Sequence, residues 1–417
     1  MSRRNPPART VALPGLRVFA CVLLLSALVV DSGRAAPCAS VSPVPPTDFP
    51  FTLPLDLRLH PQYQYETIWY IGVLHTADKS RSFGVEYMLG SQTQQCLDAD
   101  AVTVPTVAWG ALADPHTGVF RQQFLVTNAT TNVRNASAPF FLETGAWGVR
   151  QQKAGEQCPA SARRSAAELP PLLPRRDADW TQQRLSGFGL DDRRLDFFAY
   201  DLCFSIEGGG RQHTQAMGQN GLCLIVDPAH PNAPAAVFHM EQTTLVAHGE
   251  VIVDGQTFDV SGTLWYQHMW GSPSSASASA SARSPPLESR AKLSTWDWFF
   301  VSLDDGFALQ LVRFAAFEAS SYLNLVRPDG SNTYFPFDQF TLTAAEPWVS
   351  DDGRTYFMRH ELTLPAEEMQ LSIHTLQNDN VLRIISKSFF YEGASYATGV
   401  HRGVNVTGDA FTEHLNG

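Results

Sequence analysis

Val260-Ser261-Gly262-Thr263-Leu264-Trp265-Tyr266-Gln267-His268-Met269-Trp270-Gly271 is the stretch from which the fold of this 417-residue chain is best read. In an extended strand alternate side chains share a face, so Tyr266, His268 and Trp270 point one way while Trp265, Gln267 and Met269 point the other. An imidazole flanked by two aromatics suits a cavity that grips an apolar ligand and offers one proton donor or acceptor. The competing reading is a core histidine satisfied by a backbone carbonyl.

The same pattern extends along the chain. Helical periodicity is scarce, and short runs rich in Val, Ile, Phe, Tyr, Trp and Thr recur between Asp-Gly, Gly-Gly and Pro punctuation, among them 66–74, 82–89, 119–127, 195–207, 237–245, 249–253, 257–266, 296–303, 307–314, 356–364, 369–376 and 389–398. Asp254-Gly255 and Asp305-Gly306 sit between such runs as hairpin turns. The pattern predicts an all-β chain of antiparallel barrels or sandwiches. In Trp296-Asp297-Trp298-Phe299-Phe300, parity places Trp296, Trp298 and Phe300 on one face and Asp297 with Phe299 on the other. A tryptophan face that lines a cavity offers stacking surface and indole N–H donors. Glu66, His239, Glu241, Tyr391, Glu392 and Glu413 also lie in aromatic strands, where a buried carboxyl would have a raised pKa and could act as a general acid. Ile68–Gly72 and Trp296–Phe300, each followed by a polar turn and an apolar strand, form a faint internal echo of the kind two related barrels produce.

With 41 acidic against 30 basic residues and a net charge of −11, the chain repels phosphate backbones, so nucleic acid is not an expected partner. Arg3, Arg4, Arg9 and Arg17, the apolar run 18–30 and Gly33-Arg34-Ala35-Ala36 predict a signal peptide over 1–36 and a secreted or extracytoplasmic protein with no stable transmembrane segment after cleavage. Pro159–Ser186, rich in Pro and Arg, and Ser272–Pro286, rich in Ala and Ser, read as exposed loops, the second inside a domain. Cys38, Cys96, Cys158, Cys203 and Cys223 remain after cleavage. A hairpin-like Cys203–Cys223 bridge is the preferred pairing, with buried free thiols as the alternative. Asn128, Asn135 and Asn405 begin N-glycosylation acceptors that matter in a eukaryotic host.

No nucleophile elbow, phosphate loop or Cys/His metal spacing occurs, so neither metal nor cofactor is expected. Taken in order, several segments resemble one family: Glu66–Leu74, Trp109-Gly110-Ala111-Leu112-Ala113-Asp114, Gln219-Asn220-Gly221, Val260–Gly271, Trp296–Phe299 with Leu303–Gly306, Tyr391-Glu392-Gly393 and Glu413. The chain resembles the hydroxyneurosporene synthase (carotenoid 1,2-hydratase) and AttH-like family of lipocalin-like proteins, which also includes polyketide Diels–Alderases. The resemblance implies two consecutive lipocalin-like barrels, an N-terminal one over 37–236 and a C-terminal one over 237–417, enclosing a hydrophobic isoprenoid or polyketide. It implies cyclisation, isomerisation or alkene hydration, with a non-catalytic lipid carrier as the alternative. His268, Tyr266, Gln267 and Asp297 are then the candidate catalytic residues, and Trp265, Trp270, Trp296, Trp298, His239, Glu241, Glu66 and Trp69 the candidate substrate contacts. Where the family motif has Asp before its His, this chain has Gln267, and a neutral amide cannot supply the proton that alkene hydration needs.

Overall fold

A computed structural model describes residues 50–92, 101–132, 141–152, 182–206, 214–225, 235–272, 296–315, 318–384 and 387–415, with a few shorter pieces between 35 and 48, at Cys96–Leu97, and at Glu156 and Cys158. The strands are β1 Ala35–Ala36, β2 Tyr65–Thr76, β3 Ser82–Gln92, β4 Cys96–Leu97, β5 Ala101–Asp114, β6 Val119–Asn132, β7 Phe141–Thr144, β8 Trp147–Gln151, β9 Gln182–Leu190, β10 Phe197–Ile206, β11 Thr214–Ala216 and β12 Leu222–Ile225. They continue as β13 Ala235–Val253, β14 Gln256–Gly271, β15 Trp296–Leu303, β16 Ala308–Phe314, β17 Tyr322–Val326, β18 Asn332–Pro336, β19 Thr341–Val349, β20 Thr355–Leu364, β21 Met369–Thr375, β22 Val381–Ile384, β23 Lys387–His401 and β24 Val404–Leu415. Among the described residues no helix is long and apolar enough to cross a membrane.

The all-β expectation holds. The first sheet runs β10-β9-β8-β7-β6-β5-β3-β2-β14-β13, and β13 pairs back onto β10, which closes the barrel. The second sheet, β18-β17-β16-β15-β24-β23-β21-β20-β19, curls into an open barrel. Asp254 and Gly255 link β13 to β14 as a two-residue hairpin, both with positive φ (53° and 71°). That twist matches the right-handed twist of the flanking strands and suits glycine at the second position. Residues 237–253, read as two strands, form one long strand with a bulge between Gln242 and Leu245.

The sheets divide the chain differently from the expected boundary at 236/237. β13 and β14 pair with β10 and β2, and the first barrel cannot close without them. Strands on both sides of that boundary share one sheet, and the Ala/Ser-rich stretch lies in the chain between β14 of the first sheet and β15 of the second. Most of it (273–286), most of the Pro/Arg-rich stretch (159–181) and most of the signal segment (1–34) lie outside the described residues, while 182–186 begin β9. The echo segments occupy equivalent places: β2 and β15 each pair with the last strand of their own sheet, β14 and β24, and with the strand that follows.

Burial along β14 shows how the barrels meet. From Gln256 to Thr263 only Val260 is buried, but every residue from Leu264 to Gly271 is buried. One face of that half packs inside the first barrel with Tyr70, Phe204 and Trp147, and the other joins a cluster shared with Trp298, Phe300 and Phe411 of the second sheet. Each fully buried apolar side chain contributes about 1.5–3 kcal/mol, so this seam is a second core. At Gly84 of β3 a Cβ would lie 2.7 Å from the Ala394 methyl of β23, and the missing side chain lets the two walls touch. Side-chain amides tie backbone across the seam: Asn324 Oδ1 accepts from Gly218 N–H (2.8 Å), and Gln122 both donates to the Arg383 carbonyl (2.5 Å) and accepts from its N–H (2.9 Å).

The expected Cys203–Cys223 bridge is not formed. Cys203 is bonded to Cys158, with a Cα–Cα distance of 6.0 Å, and Cys223 is a buried free thiol. The reason is facing: Cys203 on β10 lies beside β9 and Arg184, whereas Cys223 on β12 joins the seam cluster. Non-reducing peptide mapping is expected to recover Cys158 joined to Cys203. Cys158→Ser is expected to lower unfolding free energy by about 2–4 kcal/mol in a urea titration.

Candidate functional site

The two faces of β14 lead to different places. On the barrel-interior face His268 is fully buried; its Nε2 lies 2.7 Å from Glu66 Oε1, and its Nδ1 lies 2.9 Å from the Tyr266 hydroxyl and 3.0 Å from the Asp56 carbonyl oxygen. Glu66 also accepts the His60 backbone N–H (2.9 and 2.8 Å) and meets His60 Nδ1 at 2.8 Å. The His60 ring stacks on Trp270 at 4.1 Å. Burial works against the His60 charge, but Asp56 and Glu66 outweigh it and raise its pKa to about 9. Burial prevails at His268, whose pKa falls. Burial would raise Glu66, yet the two histidines hold it low. His268 is thus the satisfied core histidine, capped by the 50–60 segment, and the interior around it is filled by aromatic side chains of the same barrel, Tyr70, Tyr87, Trp147, Tyr200 and Tyr266 among them. Of the expected site residues, His268, Tyr266, Trp270 and Glu66 therefore share this interior network and do not reach the seam.

Asp297 is a third separate location. It faces the interior of the second sheet, where Oδ1 lies 2.8 Å from His414 Nδ1 and Arg313 stands 3.9 Å from Oδ2. Burial would raise its pKa; His414 overrides that and lowers it. His60, Glu66 and His268, and likewise Asp297, His360 and His414, bring metal-ligand atoms within 4.8 Å of one another. The first set is joined by its own hydrogen bonds, and the second leaves His360 and His414 Nε2 without a partner among the described residues.

The seam gathers the rest. Strand register sets Trp109, Met88, Trp69, Gln267 and Glu241 in one row across β5, β3, β2, β14 and β13, with Glu86, Ile71 and Trp265 in the next. Facing them, Trp298, Glu413 and Glu392 form a row across β15, β24 and β23. Two polar centres result. In the first, Glu241 accepts from Trp265 Nε1 (2.8 Å) and Gln267 Nε2 (3.1 Å) and meets His239 Nε2 at 2.7 Å, while His239 Nδ1 lies 3.0 Å from the Tyr322 hydroxyl. In the second, Glu86 accepts from the Trp109 indole and Glu413 from Trp296 Nε1 (2.6 Å), around Phe390, whose ring sits 6.4, 6.2 and 5.7 Å from Trp69, Trp109 and Trp296. Burial, with the charge of Glu413, raises Glu86 to about 8 against the Trp109 bond. Burial raises Glu413 to about 7 against the Trp296 bond, and Glu392 is raised well above its ordinary value by burial and by both other carboxylates. Among the described residues no ion pair reaches these three carboxyl groups.

Trp69, Trp265, Gln267, His239, Glu241, Trp296 and Trp298 thus assemble as expected side chains of one seam, together with residues the sequence reading left out of its site: Glu86, Trp109, Phe390 and Gln310. Glu86 was signalled by an acid inside Val85-Glu86-Tyr87-Met88, where both neighbouring faces are apolar. A cavity of about 20 Å³ between Ile71, Trp265, Phe300 and Phe411 has room for a single water. Asn128 and Asn405 are exposed on β6 and β24, and Asn135 lies outside the described residues.

A carboxyl group whose pKa rises on folding binds a proton that the unfolded chain releases, so its stabilising effect is complete below about 4.5 and disappears as pH rises through the folded value. Melting temperature is expected to fall between pH 5 and 8, and Glu86→Gln with Glu413→Gln to flatten that slope in a pH series of thermal melts.

A model of the AttH-like family matches residues 43–414. No curated protein matches the chain. Among solved structures, that of an AttH from Nitrosomonas europaea superposes with a TM-score of 0.60 at 18% identity, covering 90% of this chain and 99% of its own. Kievitone hydratase from Nectria haematococca superposes with a TM-score of 0.58 at 12% identity, covering 92% and 97%. At such identities the likeness is one of fold, whereas the family match spans nearly every described strand. The chain belongs to the AttH-like family.

Proposed function

We propose that the protein is a secreted enzyme that holds a hydrophobic isoprenoid or polyketide in the seam between its barrels and promotes its hydration, isomerisation or cyclisation. One observation carries this reading: Trp298 Nε1 and both ends of the Gln310 amide are buried on the seam face with no hydrogen-bond partner among the described residues. Leaving such groups unsatisfied costs about 1–3 kcal/mol each, a cost that a bound hydroxyl or carbonyl would remove. Trp298 and Gln310 are diagonal neighbours, since Trp298 pairs with Val312 and Phe300 with Gln310. The surrounding indoles supply stacking surface for an unsaturated chain. The Cys158–Cys203 bridge and the basic, apolar, then small-residue N-terminus support an extracytoplasmic location. In a eukaryotic host exposed Asn128 and Asn405 would be glycosylated.

Gln267 favours a second reading, a carrier that retains a lipid unchanged, because the amide occupies the acid position of the family motif and is held by Glu241. Extraction and mass analysis of what copurifies, before and after incubation, separates the two. A modified product supports the enzyme, and an unaltered lipid the carrier. Trp298→Phe combined with Gln310→Leu is expected to weaken ligand retention at least about tenfold, at about 1.4 kcal/mol per decade. His268→Ala is expected to lower the melting temperature and leave retention intact, as native mass spectrometry would show.

A further inference from the structure

We infer that Glu413, beside Glu392 and opposite Glu86, is the proton donor of the seam, and that its substrate carries an electron-rich carbon–carbon double bond. This rests on the seam reading above and supplies the acid that Gln267 lacks. Glu413 and Glu392 are directly opposed on adjacent strands, which puts such side chains on one face about 5 Å apart at Cβ. Glu86 faces them from the other barrel: Gly84, two residues before it on the same face of β3, lies against the Ala394 methyl two residues after Glu392 on β23, and the charges of Glu86 and Glu413 act on Glu392. Two oxygens of the group, Glu392 Oε1 and Glu86 Oε2, are buried without a partner among the described residues, and the Trp296 N–H occupies only Oε1 of Glu413. The group therefore has open oxygens inside an aromatic enclosure of Trp69, Trp109, Trp296 and Phe390.

Three carboxyl groups so close and so dry cannot all ionise, so the cluster retains protons near neutral pH that an exposed glutamate would have released. The carboxyl O–H of Glu413 gives its proton to one alkene carbon. The π pair becomes the new C–H bond, the neighbouring carbon becomes cationic and Glu413 becomes a carboxylate. Water then adds through an oxygen lone pair and loses a proton to that carboxylate, giving an alcohol. Alternatively the carbon next to the cation loses a proton to it, and the C–H pair becomes a shifted double bond. Either route restores the Glu413 proton without an oxidant or reductant. The negative faces of the indoles stabilise the cation while it lasts.

The test incubates the full chain in D2O with farnesol and, separately, with retinoic acid. Binding is followed by quenching of tryptophan fluorescence and carbon-bound deuterium by mass spectrometry. Deuterium uptake by wild type, reduced at least a hundredfold in Glu413→Gln with binding unchanged within about twofold, partly rescued in Glu413→Asp and declining above about pH 7, supports the inference. Binding without deuterium uptake, or uptake unaltered in Glu413→Gln, overturns it and leaves the seam reading standing. Equal loss of binding and uptake in both Glu413 variants also overturns it, since that marks a structural role. Binding of neither probe overturns the seam reading and this inference with it.

Discussion

The walls shared by the two barrels are buried on both faces, and the rest of the molecule follows from that constraint. An isolated barrel of this kind has one wet face, which polar side chains can occupy at little cost. Here β2, β14 and β15 have none over much of their length: one face fills a barrel and the other meets the opposite sheet. A polar atom on such a strand needs a partner in the protein, a partner in a ligand, or a proton that cancels its charge. The first and the third are present among the described residues, and one pair of side chains has neither. His60, Glu66 and His268 satisfy one another, Trp298 and Gln310 remain unpartnered, and Glu86, Glu392 and Glu413 are pushed towards their neutral forms.

Indole and carboxyl recur together. Trp109 with Glu86, Trp265 with Glu241 and Trp296 with Glu413 are three versions of one pairing, all on the seam. An indole N–H fixes the direction of a carboxyl group without neutralising it, as an arginine would do by ion pairing. The ring then covers the apolar side. That combination gives oriented acids within an aromatic wall, a different environment from the histidine-rich interior a few residues away on the same strands.

Alternation in the sequence reveals the strands, the Asp254-Gly255 hairpin and the parity of both key segments, because side-chain direction in a strand depends on local geometry alone. It correctly separates Tyr266, His268 and Trp270 from Trp265, Gln267 and Met269. It cannot say which set faces the other barrel, since both are apolar enough to be buried. Both faces therefore supply candidate residues, and nothing local shows that the acids of the opposite face and of distant strands converge. Glu86 and Glu413 meet only through packing of two sheets, a relation with no period in the sequence. Closure of the first barrel is hidden for a related reason: it depends on β13 returning to β10, a pairing that no local pattern encodes.

The closure has a further consequence for how the polypeptide is made. The first barrel is completed by contacts such as that between Glu66 and His268, 202 positions apart. A ribosome emits the amino end first, so β2 emerges with both greasy sides bare and waits until the β14 segment follows. Topologies dominated by such distant pairings fold slowly and are exposed to aggregation meanwhile. The second barrel is more local, because its first strand meets its last within the final stretch of chain. Nascent chains truncated before β14 would hold an unfinished cylinder, which makes the middle of the sequence the point at which biosynthesis commits to the native form.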